Sequence, residues 1–444
     1  MPGGGHPHAP EEPFPNHCSQ GCAGGASTEA GAPPSLQDPP YPTDPLIATR
    51  TSCLVVHGPS RLLVHHSCLH PGSIVARMLR VSPSRTSATG GASQGMWNTD
   101  HYGYPMDYAW WWIVLASLLV HAWCFFRLTK ERGAVVFRLV AGNALVVLCL
   151  LQFAGLIGET YFRFFDMDTD SYGVSLSSKR WYKMHVRFND LGHRDVPRAE
   201  SKPEDVRRIA FVGDSFTFGW GIDRPADRFA DLIRARFHER DPGTVEVLTA
   251  AKDGWETGDE MEEIGRLIDR YAVDEIVLCY CLNDIHDVLP LEMGFGSLYP
   301  ADGHLLNTDG SYLLNYLYHR WVAHRSVEVT SYFDRLAAGY EDPASWRLQQ
   351  TRFDWIIDRC RGSGVTLRVV ILPFVNVDVT APARAKVAAH FAAAGAEVLD
   401  LAGSISGQAP ATLVVNRYDH HPNERAHRIY ADAIWKAYYQ EARK

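Results

Sequence analysis

The chain has 444 residues, of which 46% are hydrophobic and 21% are charged, and its formal net charge is -8 at pH 7. This composition is ordinary for a folded protein with some membrane content, and the length has room for about two or three domains. Binding to a phosphate backbone requires a basic face. The longest Lys/Arg group is Arg127, Lys130 and Arg132, so nucleic-acid binding is excluded as a function class.

Residues 1–95 are rich in Pro, Gly, Ala, Ser and His and show no sustained apolar periodicity. Such a segment buries too little apolar surface to offset the entropy of ordering, so we expect it to be disordered. A sharper hypothesis is that native translation begins at Met96 or Met106. N-terminal sequencing of the native protein would test it, and a peptide from residues 1–90 would contradict it.

Two apolar runs follow, Tyr108–Phe126 and Leu139–Ile157. Each is long enough, as a helix, to cross a hydrocarbon layer of roughly 30 Å, and aromatic side chains flank both runs. We predict a transmembrane hairpin over residues 106–158, followed by a polar connector over 159–205. A buried helical hairpin inside a protein core is the alternative.

The charges around the two runs predict an orientation. Between the runs lie four basic residues, Arg127, Lys130, Arg132 and Arg138, and one acidic residue. Both outer flanks are acidic, with Asp107 before the pair and Asp166, Asp168 and Asp170 after it. Positive charge favours the cytoplasmic side, so the short connection should be cytoplasmic. We therefore expect the chain beyond residue 160 to be extracytoplasmic, with the membrane as its partner.

From residue 206 to residue 444, short apolar runs alternate with helical periodicity, which is typical of a parallel α/β sheet. The predicted strands are Arg208–Val212, Val245–Thr249, Glu275–Cys281, Thr366–Pro373 and Glu397–Leu401. The predicted helices lie near 226–238, 257–271, 346–362, 380–394 and 424–441. The pattern weakens over 287–345, which we interpret as an insertion that shapes a ligand site.

A serine follows the first predicted strand directly, in the segment Gly213-Asp214-Ser215-Phe216-Thr217-Phe218-Gly219. Open α/β sheets bind ligands at this carboxyl edge. Serine is a poor nucleophile unless a base takes its proton, and His421 is the candidate base, in a polar loop that returns to the same edge. Asp419 is the candidate third member, which would orient the imidazole. The alternative for Asp419 is a loop-capping role.

These segments resemble the sequence blocks of SGNH/GDSL serine hydrolases. The serine segment resembles the first block, Asp419-x-His421-Pro422-Asn423 resembles the last, and Gly254 and Asn283 resemble the glycine and asparagine of two intermediate blocks. The resemblance covers roughly residues 205–440. It implies a flavodoxin-like three-layer sandwich with a parallel five-stranded sheet, and an oxyanion hole formed by the Ser215 and Gly254 N–H groups with the Asn283 amide. Cys281 stands where the third block usually begins with glycine.

The predicted function is hydrolysis of acyl esters, O-acetyl esters among them, through an acyl-enzyme intermediate without a cofactor. The alternative within this chemistry is O-acyl transfer to an extracytoplasmic polysaccharide or other glycan, which enzymes of the same superfamily perform. An alternative of another class is a catalytically silent, membrane-tethered binding module. The sequence specifies neither the alcohol (small molecule, lipid or glycan) nor any protein partner.

Two tryptophans and a group of histidines could indicate further functional roles. Trp220 and Trp255 lie close to the catalytic blocks, where pocket lining and core packing are equally good interpretations. A metal site at His420, His421 and His427 is disfavoured, because no zinc-type spacing accompanies them, and the nine cysteines form no ligand pattern.

Overall fold

A computed structural model describes residues 99–130, 135–290, 308–322, 325, 330–375 and 377–440. The disorder predicted for residues 1–95 and the alternative start at Met96 lie outside the described residues. All the elements described below belong to one compact unit within residues 90–444.

A short helix α1 (Thr99–Tyr102) precedes two long apolar helices, α2 (Pro105–Leu128) and α3 (Val135–Phe164). By length and composition both could cross a membrane, and only 6% and 11% of their most apolar stretches are buried. Helix α3 is about 45 Å long at 1.5 Å per residue, so it exceeds a hydrocarbon layer of roughly 30 Å. The two helices pack closely because Gly155 leaves room for Trp111, whose ring a Cβ at residue 155 would approach to 2.6 Å.

A parallel five-stranded sheet forms the centre of the rest of the chain. Its strands are β1 (Arg207–Gly213), β2 (Val245–Ala251), β3 (Glu275–Cys281), β4 (Thr366–Leu372) and β5 (Glu397–Asp400), in the order β2-β1-β3-β4-β5. This order is flavodoxin-like. Every residue of β3 is buried, as expected for the central strand of a sheet covered on both faces. The predicted fold class is confirmed, and the predicted strands overlap all five.

The helices that flank and connect these strands include the five that the periodicity predicts and five that it does not. In chain order they are α4 (Leu176–His185), α5 (Ser215–Phe218), α6 (Phe229–Arg240), α7 (Thr257–Tyr271), α8 (Tyr312–Leu317), α9 (Tyr332–Glu341), α10 (Pro343–Gly362), α11 (Ala381–Ala393), α12 (Ala402–Ile405) and α13 (Glu424–Ile434). Short 3-10 turns cover Pro225–Asp227, Leu282–Val288, Asp378–Thr380 and Pro410–Thr412, and π-helical turns cover Tyr318–Val322 and Trp435–Tyr439.

The segment that carries His421 differs from its prediction as a loop. It forms an antiparallel hairpin of β6 (Val414–Asn416) and β7 (Asp419–Pro422). The side chain of Asn416 makes the tight turn, because its Oδ1 accepts hydrogen bonds from the N–H groups of Tyr418 (2.8 Å) and Asp419 (3.0 Å). Asparagine side chains readily form such hydrogen bonds to the nearby backbone in place of regular secondary structure. Hydrophobic periodicity does not reveal them.

The described part of the insertion is attached to the end of α3. The carboxylate of Glu159 accepts hydrogen bonds from the Ser311 hydroxyl (2.7 Å) and from the N–H groups of Tyr312 (3.2 Å) and Leu313 (2.9 Å) at the start of α8. Arg163, one turn further along α3, donates to Glu159 (2.7 Å) and to the Gly310 carbonyl (2.8 Å). Both charged side chains are almost completely buried. The joint therefore holds the insertion against the long apolar helix.

Candidate active site

The turn from β1 into α5 exposes a serine at the carboxyl edge of the sheet. Ser215 is the first residue of α5, and the Asp214 carboxylate caps this helix by accepting the Phe216 N–H at 2.9 Å. Gly213 ends the strand where no side chain fits, because a Cβ there would lie 2.7 Å from the Cys279 carbonyl oxygen of β3. The tight turn leaves the Ser215 side chain facing the cavity at this edge.

The hairpin β6-β7 places a histidine and an aspartate next to this serine. His421 Nε2 lies 2.9 Å from Ser215 Oγ, and His421 Nδ1 lies 2.6 Å from Asp419 Oδ1. Burial by itself would lower the pKa of His421, but the Asp419 carboxylate and the hydrogen bond to it outweigh burial and raise the pKa above its usual value. The structure therefore brings together all three residues that the sequence predicts for the triad.

A fourth residue, Thr169, contacts the triad and was not predicted. Its hydroxyl donates a hydrogen bond to Asp419 Oδ2, the oxygen that His421 leaves unused. The Thr169 carbonyl in turn accepts from Asn416 Nδ2 at 3.0 Å and from Arg320 at 3.3 Å. Asp419 is fully buried, so the Thr169 hydroxyl stabilises a carboxylate that water cannot reach, while Asn416 and Arg320 hold the Thr169 backbone in place.

The loop around Thr169 is ordered by Asp170. Its carboxylate accepts hydrogen bonds from the hydroxyls of Ser175 (2.5 Å) and Ser178 (2.6 Å) and from the N–H groups of Tyr172 and Ser175. Burial opposes the charge of Asp170, but these donors lower its pKa below the usual value. The sequence signal was the acidic run 166–170, which was interpreted only as a flank of the second apolar helix.

The other two predicted oxyanion residues, besides Ser215, lie on the loops after the neighbouring strands. Asn283 follows β3, and its Nδ2 donates to Asp214 Oδ2 at 3.0 Å, an oxygen that also lies 3.3 Å from Ser215 Oγ. Gly254 follows β2 with a φ of +73°, a conformation that favours glycine, and a Cβ there would meet no atom within 4 Å. Ser215, Gly254 and Asn283 all line the same cavity.

This cavity has a volume of about 330 Å³ and mainly aromatic walls. The aromatic side chains that line it are Tyr172, Phe216, Trp220, Trp255, Tyr332, Phe333 and Phe374. Tyr332 and Phe333 belong to α9, so the insertion contributes one wall. Trp220 has both of the roles left open by the sequence, since it also packs 5.2 Å from Trp181 between ring centroids. Burial and Arg335 lower the pKa of His286, another lining residue, to about 4, so its imidazole is neutral.

No group of three His, Cys, Asp or Glu side chains within the described ranges is arranged to hold a metal ion. His427 is buried, and its Nδ1 accepts the Phe229 N–H at 3.1 Å. Burial lowers the pKa of His427 to about 3. His420 is exposed beside the cavity. The three histidines of the disfavoured metal site therefore do not form a shared set of ligands.

The sequence of this region matches a known family. The model of the GDSL-like lipase/acylhydrolase family covers residues 211–429, from β1 to α13. These residues form a GDSL-like acylhydrolase domain. Members of the family are ester-hydrolysing enzymes, and the sheet with its flanking helices is an SGNH-like fold. Among curated protein sequences, none matches the chain.

Solved structures align with about half of the chain at low identity. The psychrotrophic esterase EstA from Pseudoalteromonas sp. is 10% identical over 52% of this chain and 96% of its own, with a TM-score of 0.33. The lipase Lip_vut3 from a goat rumen metagenome is 15% identical over 53% and 99%, with a TM-score of 0.35. A two-domain esterase active on acetylated mannans is 14% identical over 52% and 48%, with a TM-score of 0.29.

Proposed function

We propose that the acylhydrolase domain cleaves acyl esters with Ser215 as nucleophile, His421 as general base and Asp419 as the residue that orients the imidazole. The observation that carries this proposal is the continuous row of hydrogen bonds from Ser215 Oγ through His421 to Asp419 and Thr169. A serine activated in this way attacks an acyl carbonyl while the imidazole accepts its proton. The buried carboxylate then stabilises the imidazolium that forms.

Two half-reactions follow from this arrangement. In the first, Ser215 Oγ bonds to the acyl carbon, and His421 Nε2 passes the proton on to the leaving alcohol oxygen, so that an acyl-serine remains. In the second, His421 takes a proton from water, the resulting hydroxide attacks the acyl carbon, and Ser215 regains its proton as the acid leaves. In both, the carbonyl oxygen becomes an oxyanion that the N–H groups of Ser215 and Gly254 and the Asn283 amide would hold.

A fluorophosphonate probe tests the proposed nucleophile directly, because it reacts only with an activated serine. The purified full-length chain should be labelled, and Ser215→Ala should not be. Ser93 provides a matched control: Ser93→Ala changes the only serine of the Gly-x-Ser-x-Gly segment Gly91–Gly95, and it should be labelled like the parent. An unlabelled parent chain would favour the silent binding module instead.

Removing the side-chain donor of the oxyanion hole should slow the chemical step selectively. We expect Asn283→Ala to lower kcat for a small acyl ester by about 10²- to 10³-fold with little change in KM, the usual cost of one oxyanion donor. Steady-state kinetics on the purified protein measures both constants. A raised KM with an unchanged kcat would assign Asn283 to ground-state binding and contradict its place in the oxyanion hole.

We also propose that α2 and α3 anchor the enzyme in a membrane with the acylhydrolase domain on the extracytoplasmic side. Their exposed apolar surface supports a lipid environment, and the basic residues Arg127, Lys130 and Arg138 near the connection between them support the orientation. Thr169 lies five residues beyond Phe164, the last residue of α3, and five extended residues span at most about 18 Å. Thr169, which contacts the proposed triad, is therefore within that distance of the end of the anchor.

The same chemistry would support O-acyl transfer to a glycan hydroxyl. The observation that favours this second candidate is the aromatic wall from the insertion, with Tyr332 and Phe333 beside the cavity, which would restrict water at the acyl-enzyme. Incubating the protein with an acetyl ester and an oligosaccharide acceptor separates the two. Acetylated oligosaccharide at the expense of acetate would support transfer, whereas acetate alone would support hydrolysis.

A further inference from the structure

Two backbone carbonyls on either side of Asn283 are held by buried hydroxyl groups from other elements. The Leu282 carbonyl accepts the Tyr340 hydroxyl of α9 at 2.8 Å. The Asp284 carbonyl accepts the Thr257 hydroxyl of α7 at 2.9 Å. The backbone on both sides of Asn283 is therefore held by two side chains, Thr257 and Tyr340, that do not line the cavity.

The side-chain amide of Gln349 is linked by hydrogen bonds to both of these hydroxyls, directly to that of Thr257 and through Tyr280 to that of Tyr340. Gln349 Nε2, on α10, donates to the Thr257 hydroxyl at 2.7 Å and to the Tyr280 hydroxyl at 3.0 Å. The Tyr280 hydroxyl lies 2.5 Å from the Tyr340 hydroxyl, which closes the path to the Leu282 carbonyl. All four side chains are fully buried.

The direction of donation is the same along both arms. A hydroxyl has a single hydrogen, so one that donates to a carbonyl acts only as an acceptor in its other hydrogen bonds, whereas a primary amide nitrogen has two hydrogens to donate. The two hydrogens of Gln349 Nε2 thus serve one arm each, and each arm ends on a carbonyl that flanks Asn283. Buried networks in which each hydroxyl both accepts and donates are rigid, and removal of one member leaves polar groups unpaired.

We propose that Gln349 is a positioning residue for the oxyanion hole, acting on Asn283 through the Thr257 arm and the Tyr280–Tyr340 arm. The inference rests on the proposed function, because it assigns the network to the step in which Asn283 holds the oxyanion. It also gives the insertion a second role, since Tyr340 belongs to α9, the helix whose Tyr332 and Phe333 line the cavity. Loss of either arm would let Asn283 move by a fraction of an ångström.

Two variants of different severity test this positioning role. Gln349→Met keeps the length of the side chain without any donor and interrupts both arms, whereas Tyr340→Phe removes one hydroxyl at the end of one arm. We expect Gln349→Met to lower kcat for a small acyl ester by about 10- to 100-fold, the scale of small misplacements of catalytic groups, with KM unchanged. Tyr340→Phe should cause a smaller loss of the same kind.

A double-mutant cycle separates positioning of Asn283 from general loss of folding. In the Asn283→Ala background both changes should have almost no further effect on kcat, because the group they position is gone. Tyr438→Phe is the matched control: it removes a hydroxyl that donates to the Val369 carbonyl at 2.9 Å, away from the cavity, and should leave kcat unchanged.

The outcomes distinguish this inference from the proposed function. An active parent in which Gln349→Met and Tyr340→Phe lower kcat equally with and without Asn283 overturns the positioning role alone. An active parent with unchanged kcat in both variants overturns it as well. A parent without ester hydrolysis or fluorophosphonate labelling overturns the proposed function, and this inference with it.

Discussion

Replacing His421 by alanine should lower kcat for ester hydrolysis by about 10⁵-fold or more, the scale of losing the base from a serine triad. Its Nε2 lies 2.9 Å from Ser215 Oγ, closer than Asp214 Oδ2 at 3.3 Å, and an imidazole is ordinarily a stronger base than a carboxylate. Steady-state kinetics with a chromogenic acyl ester measures the loss. His238→Ala is the matched control, because His238 is exposed at the end of α6 and should leave kcat unchanged.

The pH dependence of the same reaction checks the assignment of the base. Asp419 raises the pKa of His421, so kcat/KM should fall as the pH decreases through a pKa above the usual 6.5, where the imidazole becomes protonated and cannot accept a proton. Asp419→Asn removes the charge that raises this pKa. Its acid limb should therefore move to lower pH, and its kcat should fall by about 10⁴-fold, as expected when the imidazole loses its orienting carboxylate.

An acid limb that stays in place in Asp419→Asn would contradict the role given to this residue. The loop-capping alternative predicts that outcome, together with a modest loss of stability and nearly normal kcat. Asp419 does accept the His421 N–H at 3.1 Å as a cap would, but the same oxygen is closer to the imidazole, at 2.6 Å from Nδ1. The geometry is compatible with both roles of Asp419, capping the loop and orienting the imidazole, and the kinetics shows whether the second is required for activity.

The sequence was informative wherever function depends on a local motif at the end of a strand. Ser215 and Asn283 each follow directly from a buried apolar run, and parallel strands end at one edge of the sheet, so their proximity could be predicted without the structure. His421 could be placed at the same edge for the same reason. The contact between His421 and Asp419 was harder to predict, because it depends on a hairpin whose turn is formed by the Asn416 side chain.

The contacts of Thr169 and Tyr340 could not be predicted because they join residues far apart in the chain. Thr169 donates to a carboxylate 250 positions later, from a polar connector that carries no periodicity. Tyr340 reaches the Leu282 carbonyl from the insertion, where apolar spacing is too weak to define which face of a helix is buried. Part of the aromatic wall of the cavity also comes from the insertion, so the sequence pattern could not predict the shape of the substrate pocket.

The largest expected effect on stability comes from Glu159→Ala, at the joint between α3 and the insertion. Glu159 is fully buried and pairs with Arg163, which is 1% exposed. Removing only the carboxylate leaves an uncompensated buried guanidinium and unpaired N–H groups at the start of α8, for which we expect a loss of about 3–5 kcal/mol. Thermal unfolding of the detergent-solubilised full chain should show a lower midpoint, and limited proteolysis should cleave α8 sooner than in the parent.

Three further variants show whether the cost arises from the buried charge. Glu159→Gln keeps an acceptor oxygen without the charge and should lose less stability than Glu159→Ala. The double change Glu159→Leu with Arg163→Leu removes both charges and should recover part of the loss, because apolar pairs often replace buried ion pairs well. Asp358→Ala breaks an exposed pair with Arg361 on α10 and should have no measurable effect, as is usual for surface ion pairs. If Glu159→Ala unfolds like Asp358→Ala, then Glu159 does not hold the insertion against α3, and the wall formed by Tyr332 and Phe333 is positioned independently of α3.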